Sequence, residues 1–117
     1  MQSELGMRFR VTDEGLNGRT TVFEDPLEPG RNGLAYLGPC LGSHMPLDLV
    51  VVMLGTNDLK KRFGLPPCDI ADGAFQLVRL IQRSESGPDR SAPRILLLAP
   101  PAVGDLGGIP ELSEKFE

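Results

Sequence analysis

The chain has 117 residues, twelve Lys and Arg against sixteen Asp and Glu, and a net charge of −4. That bounds it at one domain, and the scattered basic residues leave no electrostatic footprint for nucleic acid. Met1 to Gly6 lack a cationic stretch followed by an apolar core, and no apolar run approaches the ~20 residues of a membrane span, so a soluble cytoplasmic protein without a membrane partner is the default expectation.

Cys40 and Cys68 are too few and too far apart for a zinc ribbon or a Cys-x-x-Cys redox motif. They read as buried free thiols ahead of a disulfide, and neither a metal site nor a cofactor is suggested.

In chain order, Met7-Arg8-Phe9-Arg10-Val11 alternates and predicts a short strand, followed by a long irregular stretch to about Pro29. Asn32 can cap a helix running through Leu34, Leu37 and Leu41, which Gly38-Pro39 is expected to break or distort. Asp48 to Leu54, with three consecutive valines, reads as a parallel strand covered on both faces. After Asn57-Asp58 a brief helical turn is expected to run to Phe63, ended by Gly64-Leu65-Pro66-Pro67.

From Asp69 to about Arg83, Ile70, Ala74, Leu77, Val78 and Ile81 follow helical spacing and predict an amphipathic helix packed on the sheet. Ser84 to Pro93 is a polar loop, and Arg94 to Ala99 a third buried strand stopped by Pro100-Pro101. Strand, helix and strand from 48 to 99 make one βαβ unit, which predicts right-handed crossover.

The strand ending at Leu54 runs straight into Gly55-Thr56-Asn57-Asp58, and in open α/β sheets ligand sites form beyond the carboxyl ends of such strands. Asn57 offers two N–H donors without a charge, which suits a developing oxyanion. Taken alone, Asn57 would be a turn or helix cap, and Gly18 an ordinary turn glycine.

This strand and turn resemble the third sequence block of the SGNH (GDSL) hydrolases, and Glu14-Gly15-Leu16-Asn17-Gly18-Arg19-Thr20-Thr21 resembles their second. Asp25-Pro26, Arg31-Asn32-Gly33, Tyr36-Leu37 and Pro46-Leu47-Asp48-Leu49-Val50 place the likeness in the bacterial arylesterase and acyltransferase branch, over roughly residues 7–117. The resemblance implies an α/β, flavodoxin-like three-layer parallel sheet, acyl transfer through an acyl-enzyme, and an oxyanion hole to which Gly18 and Asn57 contribute.

In that family the nucleophile lies in a Gly-Asp-Ser block and the acid/base pair in an Asp-x-x-His block. Neither occurs among these 117 residues: Gly104-Asp105-Leu106 lacks the serine, and the sole histidine, His44, follows Leu41 at three residues. Ser43-His44 does not substitute, because adjacent side chains point apart. Asp58 reads as a cap or loop-ordering carboxylate, and Arg19 and Arg31 as loop charges or links to Asp13, Glu14 and Asp25.

Residues 1–117 are therefore expected to form a single partial SGNH-like domain, the middle of a hydrolase. It would lack the first, central strand and the C-terminal elements, and Glu111 to Glu117 read as a helical turn cut short after Pro110. The expected substrate, in the complete enzyme, is a small ester. The alternative is a non-catalytic α/β interaction module completed by another chain, as a homo-oligomer or with a strand-donating partner. A nucleotide-binding domain ranks below both, since neither glycine-rich phosphate motif is present.

Overall fold

The computed structural model describes residues 8–101. Met7, Gly104-Asp105-Leu106 and the helical turn expected after Pro110 lie outside them. Two parallel strands and two helices make up the α/β framework: α1 (Gly33–His44), β1 (Leu49–Val52), α2 (Pro67–Arg83) and β2 (Arg94–Leu97). Residues 8–11 form no strand, in contrast to the expectation from their alternation. A strand needs a neighbour for its N–H and C=O groups, and within the described residues the sheet holds only β1 and β2.

The βαβ unit forms as expected, with strands shorter than the apolar runs that announce them. β1 pairs with β2 in parallel register, Leu49 against Arg94 through Val52 against Leu97. The ladder extends one step at each end through Arg94 N–H to Asp48 O and Leu98 N–H to Val52 O.

Val50, Val52 and Ile95 turn toward a core whose fully buried members are Leu41, Val52, Leu77 and Ile81. Leu77 and Ile81 lie on one stripe of α2 and each contribute about 1.5–3 kcal/mol by burial. The opposite face of the sheet is open. Leu49 and Val51 are 51% and 43% exposed, and Met53, Leu96 and Leu98 are exposed with them. The expectation of strands covered on both faces is corrected accordingly: the helices of the described residues pack on one face only.

α1 starts where Asn32 predicts, the Asn32 Oδ1 accepting from Leu34 N–H and Ala35 N–H. Unlike the expectation, the helix passes through Pro39 without breaking and ends at His44. Proline costs a helix a hydrogen bond and a clash with the carbonyl four residues before it, and it also crowds the Cβ of the residue directly before it; Gly38 has no Cβ, which removes the last of these costs. α2 starts two residues earlier than expected, because Pro67 occupies its first turn, where no N–H partner is needed. In place of the single helical turn expected after Asn57-Asp58, two short turns form, Asn57–Leu59 and Lys61–Phe63, the second ending at Phe63 as expected and closed by Gly64 in the left-handed region.

The irregular stretch before α1 is held by polar contacts. Thr20 bridges to Asn32, and Thr20 O and Thr21 O accept from Gly33 N–H and Leu34 N–H, two donors without a partner inside the helix, the second shared with Asn32 Oδ1. That approach requires glycine at 33: a Cβ there would lie 2.5 Å from Thr20 O.

Candidate functional site

Beyond the carboxyl end of β1, buried Gly55 turns the chain at φ 133°, a conformation that favours glycine, and the turn Asn57–Leu59 begins. Facing it is the turn Leu16-Asn17-Gly18-Arg19, closed by Arg19 N–H to Leu16 O, with Gly18 at φ 83°. A positive φ at the third position is the type II pattern, and a Cβ on Gly18 would meet Glu28 Oε2 at 3.0 Å.

The two turns meet through one hydrogen bond: Asn57 Nδ2 donates to Arg19 O at 3.1 Å, 38 residues away in sequence. The two residues singled out from the sequence are thereby brought to adjoining positions, Asn57 against the residue that follows Gly18. The bond fixes the plane of the amide, whose nitrogen carries a second proton.

Asp58 holds the same two segments together from beneath. Its side chain is fully buried and accepts from Thr21 N–H at 3.1 and 3.3 Å and from Thr21 Oγ1–H at 2.6 Å. Burial pushes its carboxyl above the ordinary aspartate value, and the Thr21 donors oppose that shift. This is the loop-ordering role that its sequence context implies. α2 seals the arrangement at Gly73, where a Cβ would sit 2.4 Å from Thr21 Oγ1; nothing in the helical periodicity marks that close approach.

Behind the turns a second polar cluster joins the loop to α1. Glu14 accepts a hydrogen bond from the Tyr36 hydroxyl and pairs with His44 Nε2 at 2.9 Å through its other oxygen. The Tyr36 hydrogen bond, then the one to His44, hold the Glu14 carboxyl below the usual range. Arg19 lies over the Tyr36 ring, 4.4 Å from its centroid, and its guanidinium donates to Glu14 O. Cys40 adjoins this group, and burial raises its thiol.

The cluster escaped sequence reasoning, although the i, i+4 spacing of Cys40 and His44 and the Tyr36 between them and the loop could have suggested it. His44 is the last residue of α1. Ser43 Oγ donates to Pro39 O at 2.8 Å and is not paired with His44. Arg31 links to Glu28 rather than to Asp13, Glu14 or Asp25, and Asp25 takes its partner from Arg62. Both cysteines are unpaired, but Cys40 is half-buried and Cys68 exposed, correcting the expectation of burial.

No family model matches the chain, nor does any curated protein sequence. Solved structures do match. The native M. smegmatis aryl esterase is 42% identical with a TM-score of 0.92, the match covering 99% of this chain and 54% of that one, and its inhibitor-bound form gives a TM-score of 0.93. A carbohydrate acetylesterase from Sinorhizobium meliloti is 38% identical with a TM-score of 0.91, covering 98% of this chain and 54% of that one. The chain belongs to the SGNH/GDSL hydrolases.

These 117 residues span about half the length of those relatives. The chain's two parallel strands and two helices match a partial fold of the SGNH hydrolases, and the structures it matches are esterases. Among the described residues no helix is long and apolar enough to cross a membrane.

Proposed function

We propose that this chain supplies the oxyanion-stabilising half of an ester-hydrolase or acyltransferase site, with the Gly18 N–H and the Asn57 amide as donors to the tetrahedral intermediate of a small ester. The single observation that carries this reading is the 3.1 Å hydrogen bond from Asn57 Nδ2 to Arg19 O. One proton of the amide is used to orient it, and the other is left to face a reacting carbonyl oxygen.

In acyl transfer of this kind a serine attacks the carbonyl, a histidine takes and returns its proton, and preorganised N–H donors receive the charge that develops on oxygen. The family relationship and the esterase names of the relatives support that chemistry here. Gly-Asp-Ser and Asp-x-x-His are absent from the 117 residues, so the segment alone has donors and no nucleophile. The covalent route is closed to it.

The purified chain is accordingly expected to release p-nitrophenol from p-nitrophenyl acetate no faster than its Asn57→Ala variant, and to resist labelling by a fluorophosphonate. Burst kinetics, or a serine labelled stoichiometrically, would overturn the proposal; labelling at Ser43 would single out the Ser43-His44 pair.

A second reading has its own observation in the open apolar face of β1 and β2. Such a surface favours a chain whose sheet is completed by another polypeptide segment, and that role is compatible with the half-site.

A further inference from the structure

Glu14, Cys40 and His44 present three chemically different ligand atoms, a carboxylate oxygen, a thiol sulfur and an imidazole nitrogen, all within 4.8 Å of one another. We propose that they form a site for a zinc-type divalent cation, a soft-to-borderline metal held by one thiolate, one imidazole and one carboxylate. The proposal does not rest on the ester-hydrolase reading.

Cys40 and His44 are one turn apart on α1 and so share a face, while Glu14 arrives from the loop. Tetrahedral zinc has ligand bonds of about 2.0–2.3 Å and hence ligand atoms roughly 3.3–3.8 Å apart. No pair of the three atoms needs to close by more than about 1.5 Å, a movement within reach of side-chain rotation. Glu14 Oε1 and His44 Nε2 already stand 2.9 Å apart, sharing a proton where a cation would bridge them.

An outer partner is in place as well. Tyr36 donates to Glu14 Oε2, the oxygen that His44 does not use, and so orients the carboxylate as the outer hydrogen bonds of metal sites do. Glu14 and His44 keep about a third of their side-chain surface exposed, which leaves an entry path and a fourth position for water. A carboxylate and a thiolate balance a divalent charge. Arg19, stacked on Tyr36, opposes a cation and holds the affinity down.

Binding replaces the Cys40 thiol proton, and the one shared by Glu14 and His44 where His44 is protonated, with the metal; those protons leave to solvent and no redox partner is needed. The sulfur and nitrogen ligands select zinc or cobalt over magnesium and calcium.

The test uses Cys68→Ser, which leaves Cys40 the only thiol. Titrated with Co²⁺, this chain is expected to take up one ion with a near-ultraviolet thiolate band and the visible absorption of tetrahedral cobalt. Cys40→Ser in the same background removes the band. It also weakens Zn²⁺ at least tenfold in competition with a chromophoric chelator, as does His44→Gln, while circular dichroism remains that of the parent. Tyr36→Phe is expected to weaken Zn²⁺ about 10–100-fold with the cobalt band retained. Lack of saturable Co²⁺ uptake by Cys68→Ser, uptake without a thiolate band, or uptake unchanged by Cys40→Ser would each overturn the site. Because the first of these is read on a chain with all three ligands intact, misfolding of a ligand variant does not shield the proposal.

Discussion

Asp58 shows what one residue contributes to this molecule and how its part can be measured. It accepts three hydrogen-bond contacts from Thr21 and is fully buried, so truncation leaves an N–H and a hydroxyl without their acceptor. Each such loss costs about 1–3 kcal/mol. Asp58→Ala is expected to lower stability in urea unfolding by at least that amount. Asp58→Asn keeps an acceptor for Thr21 N–H and sheds the cost of a buried charge, so its loss should be clearly smaller. Equal losses would mean that the charge, not the hydrogen bonding, matters. The role of Asp58 was legible in the sequence because Asn-Asp pairs begin turns; its partner 37 residues away was not, since nothing local encodes a contact between two loops.

Among elements, the loop over residues 25–28 is tied to the turn Lys61–Phe63 by Arg62, which donates to Asp25 Oδ2 at 2.6 Å. Burial alone would raise the Asp25 carboxyl, but the Leu27 N–H, the Arg62 guanidinium and the Glu28 N–H outweigh it and leave it below its ordinary value. A depressed folded value means stability that is present above the unfolded pKa of about 3.9 and lost as pH falls through the folded one. The stability difference between the parent and Asp25→Asn is expected to be constant near neutrality and to shrink below about pH 4, measured by thermal unfolding across pH. A difference that grows in acid would reverse the assigned sign.

Elements were legible in proportion to how local their causes are. The α2 stripe and the Asn32 cap depend on neighbours within a few residues, and both formed as read. Passage of α1 through Pro39 is eased by Gly38 directly before it, a local signal outweighed in the reading by proline's general cost. The strand expected at residues 7–11 depends on a partner strand, and alternation in five residues carries no information on whether one exists.

At the scale of the whole molecule, the decisive feature among the described residues is a two-stranded sheet with one packed face and one open face that carries Leu49, Val51 and Leu96, with exposed Met53 and Leu98 beyond the strand ends. The three valines announced a buried strand, and burial on the second face must come from residues beyond the framework described, which a pattern of hydrophobicity cannot locate. An apolar face beside strand edges that no other described strand covers is a template for association. Light scattering on the purified chain is expected to show a dimer or larger species, and Val51→Lys with Leu96→Glu to shift it toward monomer. A parent chain that is monomeric at high concentration would count against this.

At the same scale stands the proposed half-site, whose test requires the other half. The 117 residues can replace the matching segment of the M. smegmatis aryl esterase, with which 99% of the chain aligns, leaving the remainder of that enzyme unchanged. The chimera is expected to hydrolyse p-nitrophenyl acetate, and Asn57→Ala within it to lower kcat by about 10²–10³ with unfolding unchanged. An active chimera whose kcat survives Asn57→Ala, or a folded chimera with no activity at all, would contradict the assignment of this segment as the oxyanion half of an ester-hydrolase site.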